Sequence, residues 1–418
     1  MFGLISTGCA LICMHAAPPV EPVAWNLTWA PEQLASRFDV DQPVHIAAVD
    51  DRTTIIVGTA LEAGADAGGP AGFPLMIIAD DRWSIVAERP ILPEAVRAQF
   101  DRADVQLCET DADGRIFLAG HGHRTPGRPV LWVAMFRNAE PVYARALAEQ
   151  PSKHSIPTAA IIDGDEAVIG SSSSRHDVLA VPSLLRIDGQ GEVVKRVGVT
   201  DRGVAKVTAM TFDDSGRLHV AVEIGPAMGG NAINSESKLL VFDETLTVVG
   251  QRDCPGAIVD LAWHNGDHHM LAKIRFPPEP YSVPEGVYLC SVWYEYQRRP
   301  EACLARMDEQ GTSIRRGPFS ADYYAADAAH RVIAPDLDGE VVLYRIATGS
   351  ASSDLSTYTL FIDRFEADRF ERVEWSHATV PSVPFATSLW ADRSRCLFTA
   401  LLAAPEEPPR LLIGRFAK

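Results

Sequence analysis

Positive charge is scarce in this chain. Its 418 residues carry 38 Lys and Arg against 55 Asp and Glu, a formal net charge of −17. Neutralising phosphates needs basic patches, so the balance argues against DNA or RNA as a partner. It argues equally against docking on an anionic membrane. Long hydrophobic runs are missing too. The apolar stretch near the N-terminus is roughly a dozen residues long, too short to span a bilayer. There is no GxSxG, no HExxH, no phosphate-binding Gly loop and no dinucleotide fingerprint. Ser171 to Ser174 is a polar run with no base beside it in a known order. Cysteine is sparse and unpatterned. Beyond Cys9 and Cys13 stand Cys108, Cys254, Cys290, Cys303 and Cys396, none with CxxC spacing. That argues against an all-cysteine zinc site, and the odd count leaves at least one thiol free or paired between chains. Cys290 and Cys303 flank one insertion and are either a disulfide or two buried thiols.

The first nineteen residues, MFGLISTGCALICMHAAPP, run from an apolar stretch into Ala-Ala-Pro-Pro. That resembles the hydrophobic region and exit of a secretory signal, although no Lys or Arg precedes it and the small-x-small cleavage pattern is missing. Ser6-Thr7-Gly8-Cys9 resembles a bacterial lipobox, with Ser where Leu is usual. The expectation is a leader over residues 1–19 that routes the chain out of the cytoplasm, with a lipid anchor on Cys9 as one form of it. The final location is then the periplasm, the outer membrane or the extracellular space. Asn26-Leu27-Thr28 is a glycosylation sequon within an expected strand and is given no weight.

What the chain has in abundance is repetition, at a period of roughly 50 to 70 residues. Each unit holds two apolar runs joined by a tight polar turn, then a looser loop, then two more runs joined by another tight turn. The second unit reads DVQLCETD, the turn Ala112-Asp113-Gly114, RIFLAG, a loop, VLWVAMF, a turn and PVYARAL. The fourth reads VTAMTF, Asp213-Asp214-Ser215-Gly216, RLHVAVEI, a long loop, KLLVFD, a turn and LTVVGQR. Comparable first turns fall at Asp50-Asp51-Arg52, Asp163-Gly164-Asp165, Asn265-Gly266-Asp267, Leu337-Asp338-Gly339 and Asp392-Arg393-Ser394. Asn-Gly and Asp-Gly supply the positive φ that two-residue hairpins demand. Val130 to Phe136 is almost wholly apolar, as a strand buried on both faces should be. Four antiparallel strands per unit make one propeller blade.

The expected fold is therefore an all-β, seven-bladed β-propeller of four-stranded antiparallel blades over residues 20–418. The last unit supplies three runs, FATSLWAD, CLFTALL and RLLIGRFA, and Val23 to Trp29 is free to supply the fourth. An N-terminal strand closing the ring there removes an open edge. Residues 93–104 read as helical. Through turns such as Asp111-Ala112-Asp113-Gly114-Arg115 and Asp213-Asp214-Ser215-Gly216-Arg217 the chain resembles the bacterial β-propeller repeat proteins. That broad superfamily implies architecture and no particular activity.

In such a fold the loops between second and third strands share one end with the links between blades. Here those segments are the long ones: Gly58 to Gly72, Gly120 to Pro129, Ser171 to Val181, Gly225 to Ser237, Thr348 to Ser356 and Ala403 to Pro409. An insertion over 277–302 joins them. Long loops on a rigid scaffold are where binding sites are built. The candidates on that face are His121, His123 and Arg124 in one loop, His154 on the next link, and Arg175, His176 and Asp177 beyond it. Imidazoles with a carboxylate suit either a polar ligand or zinc or manganese. Tyr281, Trp293 and Tyr294 of the insertion either contact a ligand or pack the insertion down. His268 and His269 begin a strand and must point to opposite faces. The Asp-rich turns lack the closing Glu of a calcium loop and read as turn chemistry. The leading expectation is an exported, non-catalytic binding propeller for a carbohydrate or protein ligand. The alternative is a metal-assisted polysaccharide lyase or hydrolase with a His cluster at the channel mouth.

Overall fold

The computed structural model describes residues 25–39, 42–50, 52–60, 72–124, 129–147, 156–172, 182–200, 205–224, 236–254, 256–274, 301–308, 312–316, 326–333, 342–350, 358–366, 369–375, 383–392, 395–404 and 407–417. The fold is all-β with a propeller-like arrangement. It opens with β1 (Trp25–Trp29) and a one-turn helix α1 (Glu32–Ala35). The first set is β2 (His45–Ala48), β3 (Thr54–Ala60), β4 (Phe73–Ala79) and β5 (Ile85–Pro90), hydrogen-bonded in that order. After α2 (Glu94–Arg97) comes a five-stranded sheet: β6 (Arg102–Ala103), β7 (Leu107–Thr110), β8 (Arg115–His123), β9 (Val130–Arg137) and β10 (Glu140–Ala146). An eight-stranded sheet follows. It holds β11 (Ile156–Asp163), β12 (Glu166–Ser172), β13 (Ser183–Ile187) and β14 (Val193–Gly198), then β15 (Ala205–Phe212), β16 (Leu218–Ile224), β17 (Glu236–Phe242) and β18 (Val248–Asp253). The strand ladder joins the two halves at one residue pair only, Ser172 with Lys206.

Three four-stranded sheets complete the described chain. They are β19 (Ala257–His264) to β20 (Asp267–Ile274), β21 (Glu301–Met307) and β22 (Thr312–Arg316); β23 (Ala326–Ile333) to β24 (Val342–Ser350), β25 (Tyr358–Glu366) and β26 (Arg369–Trp375); and β27 (Val383–Ala391), β28 (Arg395–Ala404), β29 (Glu407–Ala417) with β1. The N-terminal strand does pair with the last one, antiparallel, from Trp25 opposite Phe416 to Trp29 opposite Leu412.

The core is a series of layers between neighbouring sheets. Period-two alternation sends Ile55 and Val57 toward the second sheet, into a cluster with Trp132, Ala134 and Phe136. Ile46, Ile56 and Ile77 point the other way and meet Leu397, Leu401, Leu411 and Ile413 of the last sheet. Because both faces are covered, central strands such as β9 are buried along nearly their whole length. Each such Leu, Ile or Val contributes about 1.5–3 kcal/mol of transfer free energy.

Tight turns at one end repeat a single device. In turns starting at Asp80, Asp111, Asp188, Asp213 and Asp243, the Asp Oδ1 accepts N–H bonds from the residues two and four ahead, all at 2.8–2.9 Å. The third residue ahead takes positive φ: Gly114, Gly191 and Gly216, but also Trp83 and Leu246. The carboxylates of these Asp-rich turns are thus occupied by backbone donors.

Several expectations change. Helix covers only Glu94–Arg97 of residues 93–104, because residues 102–103 are drawn into pairing with β8. Ala403 to Pro409 is not a long loop: β28 extends to Ala404 and β29 begins at Glu407, and Pro408 and Pro409 fall in a register shift where ladder donors are not required. The strands also absorb Gly58, Ser171 and Thr348 from the ends of other expected loops.

Candidate functional site

The candidate site is built on the far end of β8. That strand is long, RIFLAGHGH, because two short strands share its free edge. Phe100 packs buried against Gly122, and the chain then turns so that Arg102 and Ala103 pair with His123 and Gly122. Leu107 to Thr110 resume the pairing lower down, opposite Ala119 to Ile116. Between them the edge bulges at Asp104. Its N–H donates to the His121 carbonyl and its Oδ1 accepts from the His121 N–H, each at 2.9 Å. Its own carbonyl accepts the indole N–H of buried Trp132 at 3.0 Å. Gly120 is needed for this approach: a Cβ there would lie 1.9 Å from the Asp104 carbonyl oxygen.

The bulge brings a carboxylate to the two histidines. Asp104 Oδ2 lies 3.4 Å from His123 Nε2. His121 and His123, two residues apart on one strand, share a face with ring centroids 6.5 Å apart. The pair therefore has strand geometry, correcting its expected place in a loop; the pairing with Arg102 and Ala103 is what extends β8 through it. Arg124 turns aside. It donates to the Gln99 carbonyl at 2.5 Å and to Gln99 Oε1 at 3.1 Å, with its guanidinium over the Phe100 ring.

His45, at the start of β2, approaches the same bulge. Its imidazole bonds the backbone of Val105, and its Nε2 is buried with no hydrogen-bond partner. Burial lowers its pKa to about 4, the Val105 bond opposing this only in part. The other expected site residues, His154, Arg175, His176, Asp177, Tyr281, Trp293 and Tyr294, lie outside the described residues, as does Cys290. Among the described residues no three His, Cys, Asp or Glu side chains come together as metal ligands do. Asp104 and His45 went unnoticed in the sequence because a bulge and a sheet–sheet contact, not spacing, bring them to the site.

A second polar group sits at the opposite end, sealed in the layer between the β15–β18 and β19–β22 sets. Asp213 Oδ2 lies 3.1 Å from His219 Nε2, and His219 Nδ1 lies 2.8 Å from His268 Nε2. The Trp263 ring is stacked on His219 and edge-on to His268. His268 and His269 do face opposite ways: His269 has the His264 ring as its neighbour. Burial drives His219 and His268 down, His268 to about 4. Burial pushes Asp213 up, but bonds from Ser215, His219 and Arg217 outweigh it and hold the carboxyl well below the usual range. The sequence signal was alignment: His219 and His268 are each the second residue of the second strand in their sets.

No protein-family model matches the chain, and no curated protein matches it in sequence. Solved structures do resemble it. Trypanosoma rangeli sialidase is 11% identical with a TM-score of 0.45, the match covering 81% of this chain and 57% of that one. BamB from Moraxella catarrhalis is 12% identical with a TM-score of 0.42, covering 94% and 98%. The WD40 domain of Neurospora crassa Pan2 is 12% identical with a TM-score of 0.48, covering 95% and 96%. The chain thus spans little more than half the length of the sialidase. No helix among the described residues is long and apolar enough to cross a membrane.

Proposed function

We propose that this chain is an exported, non-catalytic binding propeller that takes a carbohydrate or protein ligand at the end where the long links gather. The observation that carries the reading is the Asp104–His121–His123 group. Two imidazoles on the rigid strand β8 meet a carboxylate from the bulge beside it, with the Asp104 and His123 side chains 19% and 31% exposed. Such a set offers both acceptors and donors to hydroxyl or amide groups. Neighbouring elements fix it in place, which is the preorganisation that binding needs.

The scaffold is read as a seven-bladed ring. First strands adjoin one another in a closed cycle, β2, β7, β11, β15, β19, β23, β27 and back to β2. The eight-stranded sheet divides at its single Ser172–Lys206 pair into two ordinary sets of four. The β1–β29 pairing supports closure by the N-terminal strand. Export, with or without a lipid on Cys9, rests on the leader sequence alone. The metal-assisted lyase or hydrolase alternative would need His154 and His176 to join His121 and His123.

The test is calorimetric titration of the purified protein with a panel of neutral and acidic oligosaccharides, beside metal analysis. One sugar should bind, and Asp104→Asn should weaken it at least about tenfold, the loss of one charge-assisted bond. Binding unchanged in Asp104→Asn moves the site elsewhere. No sugar binding leaves a protein ligand, to be sought by the same variant. A stoichiometric transition metal overturns the non-catalytic reading.

A further inference from the structure

With both rings neutral, the buried polar chain at the short-turn end has a single proton arrangement. Asp213 Oδ1 is taken by the Ser215 N–H and Oγ–H and the Arg217 N–H, and Oδ2 by the Arg217 Nε–H. A carboxylate only accepts, so His219 must present an Nε2–H to it. His219 Nδ1 is then a bare lone pair, and His268 must donate to it from Nε2. The chain is directional: His268 donates to His219, and His219 donates to Asp213. His268 Nδ1 ends it as a buried, unsatisfied acceptor.

Each link crosses or anchors a boundary. His219 belongs to β16 and His268 to β20, so their 2.8 Å bond ties one set of strands to the next. Around it stand Arg217 on the turn, Arg252 on β18, Trp263 on β19 and the Met307 backbone on β21. Arg252 spans the same boundary, donating to the Asp308 carbonyl at 3.1 Å. Asp267, His264, His269 and Arg306 form a separate group around His269.

We propose that the Asp213–His219–His268 chain is an acid-sensitive latch between the β15–β18 and β19–β22 sets. The neutral chain holds the boundary closed. A proton on His219 Nδ1 sets two N–H groups against each other unless His268 moves its own proton to Nδ1, and in either tautomer it places a second cation beside Arg217 in a layer closed to water. A proton on His268 Nδ1 keeps that bond and gives the Met307 carbonyl a donor, but it places a cation in an apolar layer beside Arg252. Either way, opening lets both rings protonate in water, near their ordinary value of ~6.5. Acid therefore favours the opened boundary, and the latch is fully engaged only above that value.

Hydrogen exchange of the full chain at pH 7.5 and pH 5, corrected for the intrinsic rate, tests this. Opening measured on β16 and β20 should rise roughly thirtyfold on acidification, the ratio given by a ring that binds its proton near 6.5 when open and near 4 when closed. Strands β8 and β9 should change far less. His268→Gln keeps a donor for His219 Nδ1 but cannot titrate there, and should cut the ratio at least about fivefold. An unchanged ratio in that variant, or the same rise on every strand, overturns the latch. Imidazole nitrogen NMR of the wild type gives a reading that does not depend on the variant folding. Both rings should be Nε2–H tautomers, with His268 neutral to about pH 5. A His219 Nδ1–H tautomer, or His268 titrating near 6.5, overturns the proposal.

Discussion

The two ends of the molecule handle polar groups in opposite ways. At the short-turn end, carboxylates are consumed internally. Asp111, Asp188, Asp213 and Asp243 spend an oxygen on backbone N–H groups two and four residues ahead, and Asp213 spends its second on Arg217 and His219. At the other end, Asp104 uses one oxygen to hold its bulge and keeps the second toward His123 at 3.4 Å, part-exposed. Polar groups locked into turns hold strands in register; polar groups part-exposed along a rigid sheet edge are placed to meet a ligand.

The sharpest contrast lies between two glycines. At Gly120 an added Cβ would meet the Asp104 carbonyl oxygen at 1.9 Å and Trp132 at 2.8 Å, and neither backbone nor buried indole can yield. At Gly216 φ is +78° but nothing lies within 4 Å. Gly120→Ala should therefore cost at least ~3 kcal/mol, and Gly216→Ala only about 1 kcal/mol of backbone strain. Urea denaturation of both variants checks the ranking. Equal midpoints would mean that the bulge at Asp104 is not held as tightly as described.

Next in size is Asp213. Asp213→Ala removes the turn acceptor and strands His219 Nε2–H in a buried layer, for an expected loss of about 2–3 kcal/mol. Asp243→Ala deletes the same turn bonds at an exposed site with no histidine behind it, and should cost distinctly less. If the two losses match in the same denaturation experiment, the chain through His219 adds nothing beyond the turn.

How much of this was legible follows from the chemistry of each part. Asp-x-x-Gly turns were readable because Gly114 and Gly216 announce positive φ. The turns after Asp80 and Asp243 adopt the same geometry with Trp83 and Leu246 in the positive-φ slot, so no glycine marks them. Burial of both side chains offsets the strain. The β1–β29 pairing was legible because the last unit was a strand short. The His-x-His pair was visible, but its strand geometry was not, since that depends on residues 102–103 folding back. His219 and His268 stand 49 residues apart and meet through sheet packing, which only their shared position in the repeat foreshadows.

Acid should act on stability through a buried imidazole. His45 has its pKa lowered to about 4 by burial, below the unfolded value of ~6.5. The unfolded chain binds that proton first, so stability is complete above about pH 6.5 and falls as the pH drops toward 4. His45→Gln should flatten the curve of stability against pH by about 1–2 kcal/mol at pH 5. Denaturation midpoints at pH 7 and pH 5 read it directly, and parallel curves for variant and wild type would place His45 in contact with water.

The smallest effect on stability is expected at Asp104, where the effect on binding should be largest. Asn at this position keeps an Oδ1 to accept the His121 N–H, so the bulge survives. What it loses is the negative charge facing His123 at 3.4 Å, a part-exposed contact of the kind that contributes little to folding. The denaturation midpoint should stay within about 0.5 kcal/mol of wild type. A larger loss would mean that the carboxylate belongs to the scaffold, as Asp213 does. The two ends would then use their acids alike, and the case for a ligand at Asp104 would fall with the contrast that supports it.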